Sequence, residues 1–193
     1  MRIKLTENTK WMLMSAFFQE LLIFIYCMPP FMVIIGILAA SSIFLKLCRR
    51  YGNRCWFGVL AGLFLFLWGA MVIWLTTLGR STPAPEPPVW IPLYSYWEAF
   101  FHGKRELISS NLMNIALFYP GGLLAASLFP KDCPPRRQRI LILIFGATLS
   151  LYIELFQLHL ILGKPEFDDV LHNAIGALLG SCYHSYSAKR HGR

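Results

Sequence analysis

Three carboxylates and a histidine–asparagine pair lie within the eight residues EFDDVLHN, positions 166–173. Counted from Asp169, the residues His172, Asn173, Gly176 and Gly180 follow at offsets of 3, 4, 7 and 11, so all five share one face of a helix. The polar members come first and the glycines follow, and glycine allows a neighbouring membrane helix to approach closely. This pattern predicts polar groups at the start of a buried helix, facing a partner helix.

A fourth carboxylate, Glu154, is the only Asp, Glu, Lys or Arg between residues 140 and 163. Gln157 follows three residues later and shares its helix face. An acid within an apolar helix is costly unless it is paired or protonated, which makes Glu154 a candidate for function and a candidate acid or base. Arg80 and Arg105 are the candidate counter-charges, because each lies at the end of an apolar segment.

Two asparagines complete the set of polar residues in apolar segments, Asn111 and Asn114. Several of these candidate residues can instead have a purely structural role. Asp168 or Asp169 can cap a helix N-terminus, the asparagines can join helices by hydrogen bonds, and His172 can be a satisfied buried histidine. The candidate binding residues are Arg80, Arg105, Asn111, Asn114, Glu154, Gln157, Asp168, Asp169, His172 and Asn173.

Four long apolar segments must position these residues, at 55–79, 107–130, 140–163 and 170–188. Each approaches or exceeds the roughly 20 residues that a membrane-spanning helix needs. The mean hydropathy of the chain is +0.51. We therefore expect an all-α, polytopic transmembrane helix bundle, because backbone groups in lipid must be satisfied within each segment. The expected parts are an N-terminal hydrophobic hairpin at 1–54, a transmembrane domain at 55–188 with an outer loop at 80–106, and a basic tail at 189–193.

The number of spans depends on residues 11–45, where Pro29 and Pro30 interrupt an apolar stretch that also holds Glu20. Tandem proline breaks or sharply kinks a helix. A hairpin at this point gives six spans, and one kinked span gives five.

The net charge of +8 comes from clustered basic residues that flank the apolar segments. This distribution is typical of cytoplasmic loops, so it favours a membrane protein with a cytoplasmic C-terminus over a nucleic-acid-binding protein. The polar candidates in the last three segments then all lie near the outer side. Fourteen of the 18 basic residues are clustered: Arg2, Lys4, Lys10, Lys46, Arg49, Arg50, Arg54, Lys131, Arg136, Arg137, Arg139, Lys189, Arg190 and Arg193.

The five cysteines include no CxxC pair, so neither a disulfide framework nor a zinc site is indicated, and no cofactor is expected. The outer loop carries six aromatic residues between positions 90 and 101. They fit either an aromatic belt at the membrane surface or a surface on which a ligand stacks.

Three motifs together resemble the VanZ-like membrane proteins: NLMNIALFYPGGLL at 111–124, LSLYIELFQ at 149–157 and EFDDVLHNAIGALLG at 166–180. The similarity covers roughly residues 56–188. Lys164 stands where the family often has arginine, which weakens any bidentate contact with an anion there. The resemblance implies a multi-pass protein of the bacterial cytoplasmic membrane, associated with tolerance of teicoplanin-type lipoglycopeptides.

Three functions are compatible with these residues. The first is binding of an amphiphile or a lipid-linked precursor at the outward-facing polar site. The second is an enzyme acting on a lipid carrier, with Glu154 as acid or base and Asp168 and Asp169 holding a cation such as Mg²⁺. The third is a small transporter or flippase in which Glu154 carries a proton.

Overall fold

A computed structural model gives the fold and describes residues 30–51, 55–78, 87–130, 132–161 and 163–190. The chain divides into two compact units, Met1–Gly36 and Ile37–Arg193, and the candidate site belongs to the second. The first half of the predicted N-terminal hairpin lies outside the described residues, and so does Arg80.

The described chain is a succession of helices, and its only strand-like pairing is an isolated bridge between Val89 and Glu166. The prediction of an all-α fold is therefore confirmed. The helices are α1 (Pro30–Tyr51), α2 (Cys55–Ile73, continued by the π-helical turn Trp74–Leu78), α3 (Tyr94–Phe101), α4 (Glu106–Leu128), α5 (Pro135–Leu160) and α6 (Phe167–Arg190).

Three of the described helical stretches are long and apolar enough to cross a membrane: Trp56–Thr77, Glu106–Leu128 and Pro135–Leu160. The protein is accordingly a membrane protein. Helix α6 was predicted as a span at 170–188 but is more polar than these three. Many of its polar side chains are buried, and the helix packs against both α4 and α5. The most deeply buried of them are Asp168, His172, Asn173, Ser181, Ser185 and Ser187.

The contact between α4 and α6 depends on glycine. A Cβ atom at Gly122 would overlap the backbone carbonyl of Ala177, and one at Gly176 would overlap the carbonyl of Ile115. Gly180 meets the carbonyl of Tyr119 in the same way. The two helix backbones therefore approach more closely than any side chain would permit, as the spacing of the glycines predicts.

Aromatic and aliphatic side chains join α2 to the two following helices. Trp68 and Phe118 meet edge to face with ring centroids 5.5 Å apart, and the indole Nε1 of Trp68 donates to the carbonyl of Leu117 at 2.9 Å. Val72 and Ile153 complete this core cluster. It fixes α2 beside α4 and α5 and thereby aligns their ends.

The two ends of the bundle differ in chemistry. At one end Gln138 of α5 donates to the carbonyl of Ala126 at 2.8 Å and accepts from Ser185 of α6 at 3.4 Å. The basic residues Arg136, Arg137, Arg139 and Lys189 belong to this end. At the other end α4 begins, α5 ends and α6 begins, and those candidate residues that the structure describes gather there.

Candidate functional site

Asp168, in the first turn of α6, binds the start of α3 and the residue before it through hydrogen bonds. One carboxylate oxygen accepts from the backbone N–H of Leu93 at 2.5 Å. The other accepts from the backbone N–H and the hydroxyl of Ser95, at 2.8 and 2.5 Å. The side chain is 1% exposed. With both oxygens engaged by hydrogen-bond donors, Asp168 acts as a structural acceptor for the start of α3.

Leu93 has a left-handed backbone conformation, with φ 63° and ψ 17°. Such a conformation costs a non-glycine residue roughly 1–2 kcal/mol. The hydrogen bond from Leu93 to Asp168 offsets this cost, so the start of α3 depends on a residue 75 positions away.

Asn111 and His172 extend the same network. Asn111 of α4 donates to the hydroxyl of Ser95 at 2.8 Å and is 3% exposed. The Nδ1 atom of His172 lies 2.5 Å from the carbonyl of Asp168, and its Nε2 atom lies 2.8 Å from the hydroxyl of Tyr96. Because a carbonyl only accepts, Nδ1 donates, and in the neutral ring Nε2 accepts from Tyr96. These two candidates thus have structural partners.

Asp169 of α6 and Asn114 of α4 form a hydrogen-bonded pair on a different face of α6 from Asp168. Asn114 Nδ2 donates to Asp169 Oδ1 at 2.7 Å, and both side chains are half-buried. A carboxylate and an amide thus meet between α4 and α6, and each side chain is partly accessible.

Glu154, on α5, is almost completely buried, with 2% of its surface exposed. Its Oε2 atom accepts from the backbone N–H of Glu166 at 3.1 Å, just before α6 begins. Gln157, one turn further along α5, donates to the carbonyl of Thr76 in the π-helical turn at 2.9 Å. Of the predicted counter-charges, Arg105 is exposed at the N-cap of α4, and Arg80 lies outside the described residues.

Asn173, one turn after Asp169, donates through Nδ2 to the hydroxyl of Ser150 on α5 at 2.8 Å. It is 5% exposed. The candidates on α6 therefore separate into two faces. Asp168 and His172 meet the α3 segment, and Asp169 and Asn173 meet α4 and α5.

Sequence reasoning did not single out the partners of these residues, namely Ser95, Tyr96, Ser150 and Thr76. Ser95 and Tyr96 lie inside the aromatic loop, where the aromatic residues dominate the pattern. Nothing in their spacing relates them to Asp168 or His172, which are 73 and 76 residues away.

Helix α3 is amphipathic. Ser95, Glu98 and Ala99 are buried against the bundle. Trp97, Phe100 and Phe101 are 55%, 74% and 69% exposed. This arrangement is typical of a short helix that lies at a membrane surface with its rings towards lipid.

An ion pair with Lys104 and a contact with His102 hold the end of α3 through Glu98. Glu98 contacts Lys104 at 2.7 Å and His102 at 3.3 Å. The hydrogen bond from Lys104 is the main reason that the pKa of Glu98 is lowered, and a hydrogen bond from Tyr94 adds to it. Conversely, the Glu98 carboxylate raises the pKa of Lys104.

This ion pair predicts a pH dependence. The folded pKa of Glu98 lies below its ordinary value of 4.5, so its stabilising effect is complete above that pH and is lost as pH falls through the folded pKa. We expect Glu98→Gln to lower the melting temperature slightly at pH 7, with the deficit vanishing in acid. Thermal unfolding from pH 7 to 3 measures this, with the exposed Asp132→Asn as control. A deficit that grows in acid would contradict the assignment.

Two other pairings involve the connection between α5 and α6. Lys164 contacts Glu166 at 2.7 Å and lies 5.3 Å from the ring centre of Tyr94. Val89 exchanges backbone hydrogen bonds with Pro165 and Phe167, both at 2.9 Å. The described residues contain no group of three or more His, Cys, Asp or Glu side chains suited to a metal ion.

Comparison with known proteins gives one match. A family model described as VanZ/LLP1 matches residues 63–186, more than half of the chain. No curated protein and no solved structure matches this chain. The matched region contains the start of α4, the end of α5 and the whole polar cluster.

Proposed function

Because this chain belongs to the VanZ/LLP1 family of membrane proteins, we propose that it binds the head group of an amphiphile or a lipid-linked precursor at the outer face of a bacterial cytoplasmic membrane. The associated phenotype is tolerance of teicoplanin-type lipoglycopeptides. Binding takes place at the polar end of the bundle, around Asp169.

The observation that carries this proposal is the half-buried pair of Asp169 and Asn114, held 2.7 Å apart between α4 and α6. Asp168 is fully committed to the α3 segment, whereas Asp169 lies on the neighbouring face with part of its surface accessible. A partly desolvated carboxylate is a strong hydrogen-bond acceptor for a ligand that enters from the lipid interface.

The distribution of basic residues supports an outward orientation. Arg136, Arg137 and Arg139 precede or begin the apolar part of α5, at the end of the bundle opposite to Asp169. Lys189 lies at the same end of α6. Basic residues favour the cytoplasmic side, which leaves the polar cluster outside and the C-terminus inside.

Helix α3 supports an amphiphilic ligand. Its exposed aromatic residues provide apolar surface. On the same helix, the hydroxyl of Tyr96 donates a hydrogen bond to His172 in the polar cluster. A molecule with an acyl chain in the outer leaflet can thus bring its head group to Asp169 without leaving the membrane surface.

The test is Asp169→Asn in a host in which deletion of the gene lowers teicoplanin tolerance. Asparagine replaces aspartate at a helix N-terminus at little cost in stability. We therefore expect normal protein levels and a fall of tolerance to the level of the deletion strain. The exposed Asp132→Asn serves as the matched control and should keep full tolerance. Full tolerance in the Asp169→Asn strain would overturn the proposal.

A further inference from the structure

Three arginines lie at the start of α5. Arg136, Arg137 and Arg139 fall within the first five residues of this helix, at the end of the bundle opposite to Asp169. Among the described residues none of the three forms an ion pair, and the exposed Asp132 forms none either. Positive charge at a helix N-terminus opposes the helix dipole, and like charges one turn apart repel each other. The start of α5 therefore carries positive charge that the described chain does not compensate.

The Nε atom of Arg139 is buried and has no hydrogen-bond partner. The side chain as a whole is half-buried, whereas Arg136 and Arg137 are exposed. A buried donor without an acceptor is costly, and such atoms are rare in folded proteins. The orientation of a membrane protein requires only the charge of an arginine, so it does not account for a buried N–H without a partner. An acceptor from outside the chain accounts for it.

The N-terminus of α5 adds backbone donors to these side chains. Pro134 occupies the N-cap position, and no side chain caps the helix. The N–H of Gln138 donates to the carbonyl of Pro134 at 3.1 Å, so the N–H groups of Arg136 and Arg137 precede this first helical hydrogen bond. Such N–H groups at the start of a long helix favour anions, and phosphate in particular. Side-chain and backbone donors are thus available to one anion.

An exposed apolar side chain follows each arginine by four residues. These side chains are Ile140, Leu141 and Leu143, which are 47%, 42% and 36% exposed. Residues four apart lie on the same face of a helix, one above the other. Each guanidinium group is therefore one turn away from an exposed apolar group on a helix long enough to cross a membrane. A ligand that contacts both kinds of group needs an anionic head and an acyl chain.

We propose that the start of α5 binds an anionic phospholipid from the leaflet on that side of the membrane. The phosphodiester oxygens accept hydrogen bonds from the arginines, and the acyl chains lie along the exposed apolar residues of α5. Guanidinium groups suit phosphate because they donate in pairs, and basic clusters at a membrane surface attract anionic head groups. This lipid site lies at the opposite end of the bundle from Asp169 and does not depend on the proposed function.

Three probes separate the head-group charge from the acyl chains: dioctanoyl phosphatidylglycerol, dioctanoyl phosphatidylcholine and glycerol phosphate. The first two have the same chains but differ in net charge, and the third is a phosphate without chains. We expect the full chain in neutral maltoside micelles to bind phosphatidylglycerol at least about tenfold more tightly than either other probe. Each basic residue near an anionic lipid contributes about fivefold, and three act together here. Isothermal titration calorimetry at pH 7 measures the three affinities.

Variants link the preference to the three arginines. Arg136→Gln and Arg139→Gln should each reduce phosphatidylglycerol affinity about fivefold. Arg139→Lys keeps the charge but removes the Nε donor, and we expect about a threefold loss. Lys46→Gln removes an equal charge from an exposed position on α1 and should change the affinity less than about twofold. Thermal unfolding without probe shows whether each variant is folded, and the exposed Arg136→Gln suffices if the Arg139 variants are not.

Four outcomes would contradict the proposal. Equal binding of the two phospholipids would overturn the preference for an anionic head group. Binding of glycerol phosphate as tight as that of phosphatidylglycerol would show a site for soluble phosphate instead of lipid. An equal loss in Lys46→Gln and Arg136→Gln would show a diffuse effect of charge and overturn the location. Full affinity in Arg139→Lys would overturn the role of the buried Nε atom.

Discussion

Asp168→Ala should release α3 from the bundle and lower the free energy of unfolding by about 3–5 kcal/mol. Three donors on Leu93 and Ser95 lose their acceptor together, and hydrogen bonds to a charged group contribute roughly 1.5–3 kcal/mol each without adding fully. Leu93 also loses the interaction that offsets its left-handed backbone. Equilibrium unfolding in mixed micelles gives the free energy, and trypsin cleavage after Lys104 reports the release of α3.

Asp168→Asn and Asp132→Ala complete this comparison. The amide of asparagine retains one acceptor oxygen but turns an NH₂ group towards one set of donors, so we expect an intermediate loss. Asp132 is exposed between α4 and α5, and its replacement should change neither stability nor cleavage. If Asp168→Ala were as stable and as resistant to trypsin as the unchanged protein, the anchoring role would be wrong.

Gly122→Ala should separate α4 from α6. The added methyl group would overlap the backbone carbonyl of Ala177, which cannot move as a side chain could. Overpacking of this kind costs typically about 1–3 kcal/mol, and we expect the upper end of that range because backbone must shift. The displacement should also weaken the Asn114–Asp169 pair, so that ligand binding falls together with stability.

Gly62→Ala is the matched control for this substitution. It lies in α2 with nothing within 4 Å of its added Cβ atom. Alanine in the middle of a helix is more stable than glycine by roughly 0.5–1 kcal/mol, so this variant should unfold at the same or slightly higher denaturant concentration. An equal loss of stability in both variants would show that the close helix contact has no special importance.

Local features of the sequence were sufficient for the helical class and for the close packing of α4 on α6. Charge-free length predicts a helix in lipid, and the spacing of Gly176 and Gly180 relative to Asp169 predicts a small-sided face. Both depend on residues close together in the chain. The gathering of candidates from three segments at one end could also be predicted, because the basic loops indicate which ends coincide.

It could not be predicted from the sequence that Asp168 and Asp169 would have different partners. Consecutive helical residues point about 100° apart, so the two carboxylates had to face different neighbours, but the identity of those neighbours is a long-range property. The donors on Leu93 and Ser95 precede Asp168 by 75 and 73 residues. No periodicity relates positions across such a distance.

The hydrogen bonds from Leu93 and Ser95 to Asp168 have a consequence for biosynthesis. A chain is made from its N-terminus, and the segment that contains Leu93 and Ser95 emerges long before Asp168 is translated. During that interval both intervening helices, α4 and α5, must be made and inserted while the aromatic residues of α3 lack their anchor. The α3 segment can reach its final arrangement only when α6 arrives, so α6 completes a part of the protein that was synthesised more than 70 residues earlier. A nascent chain that stops at the end of α5 should therefore expose α3 to proteases and chaperones, although every residue of α3 is already present.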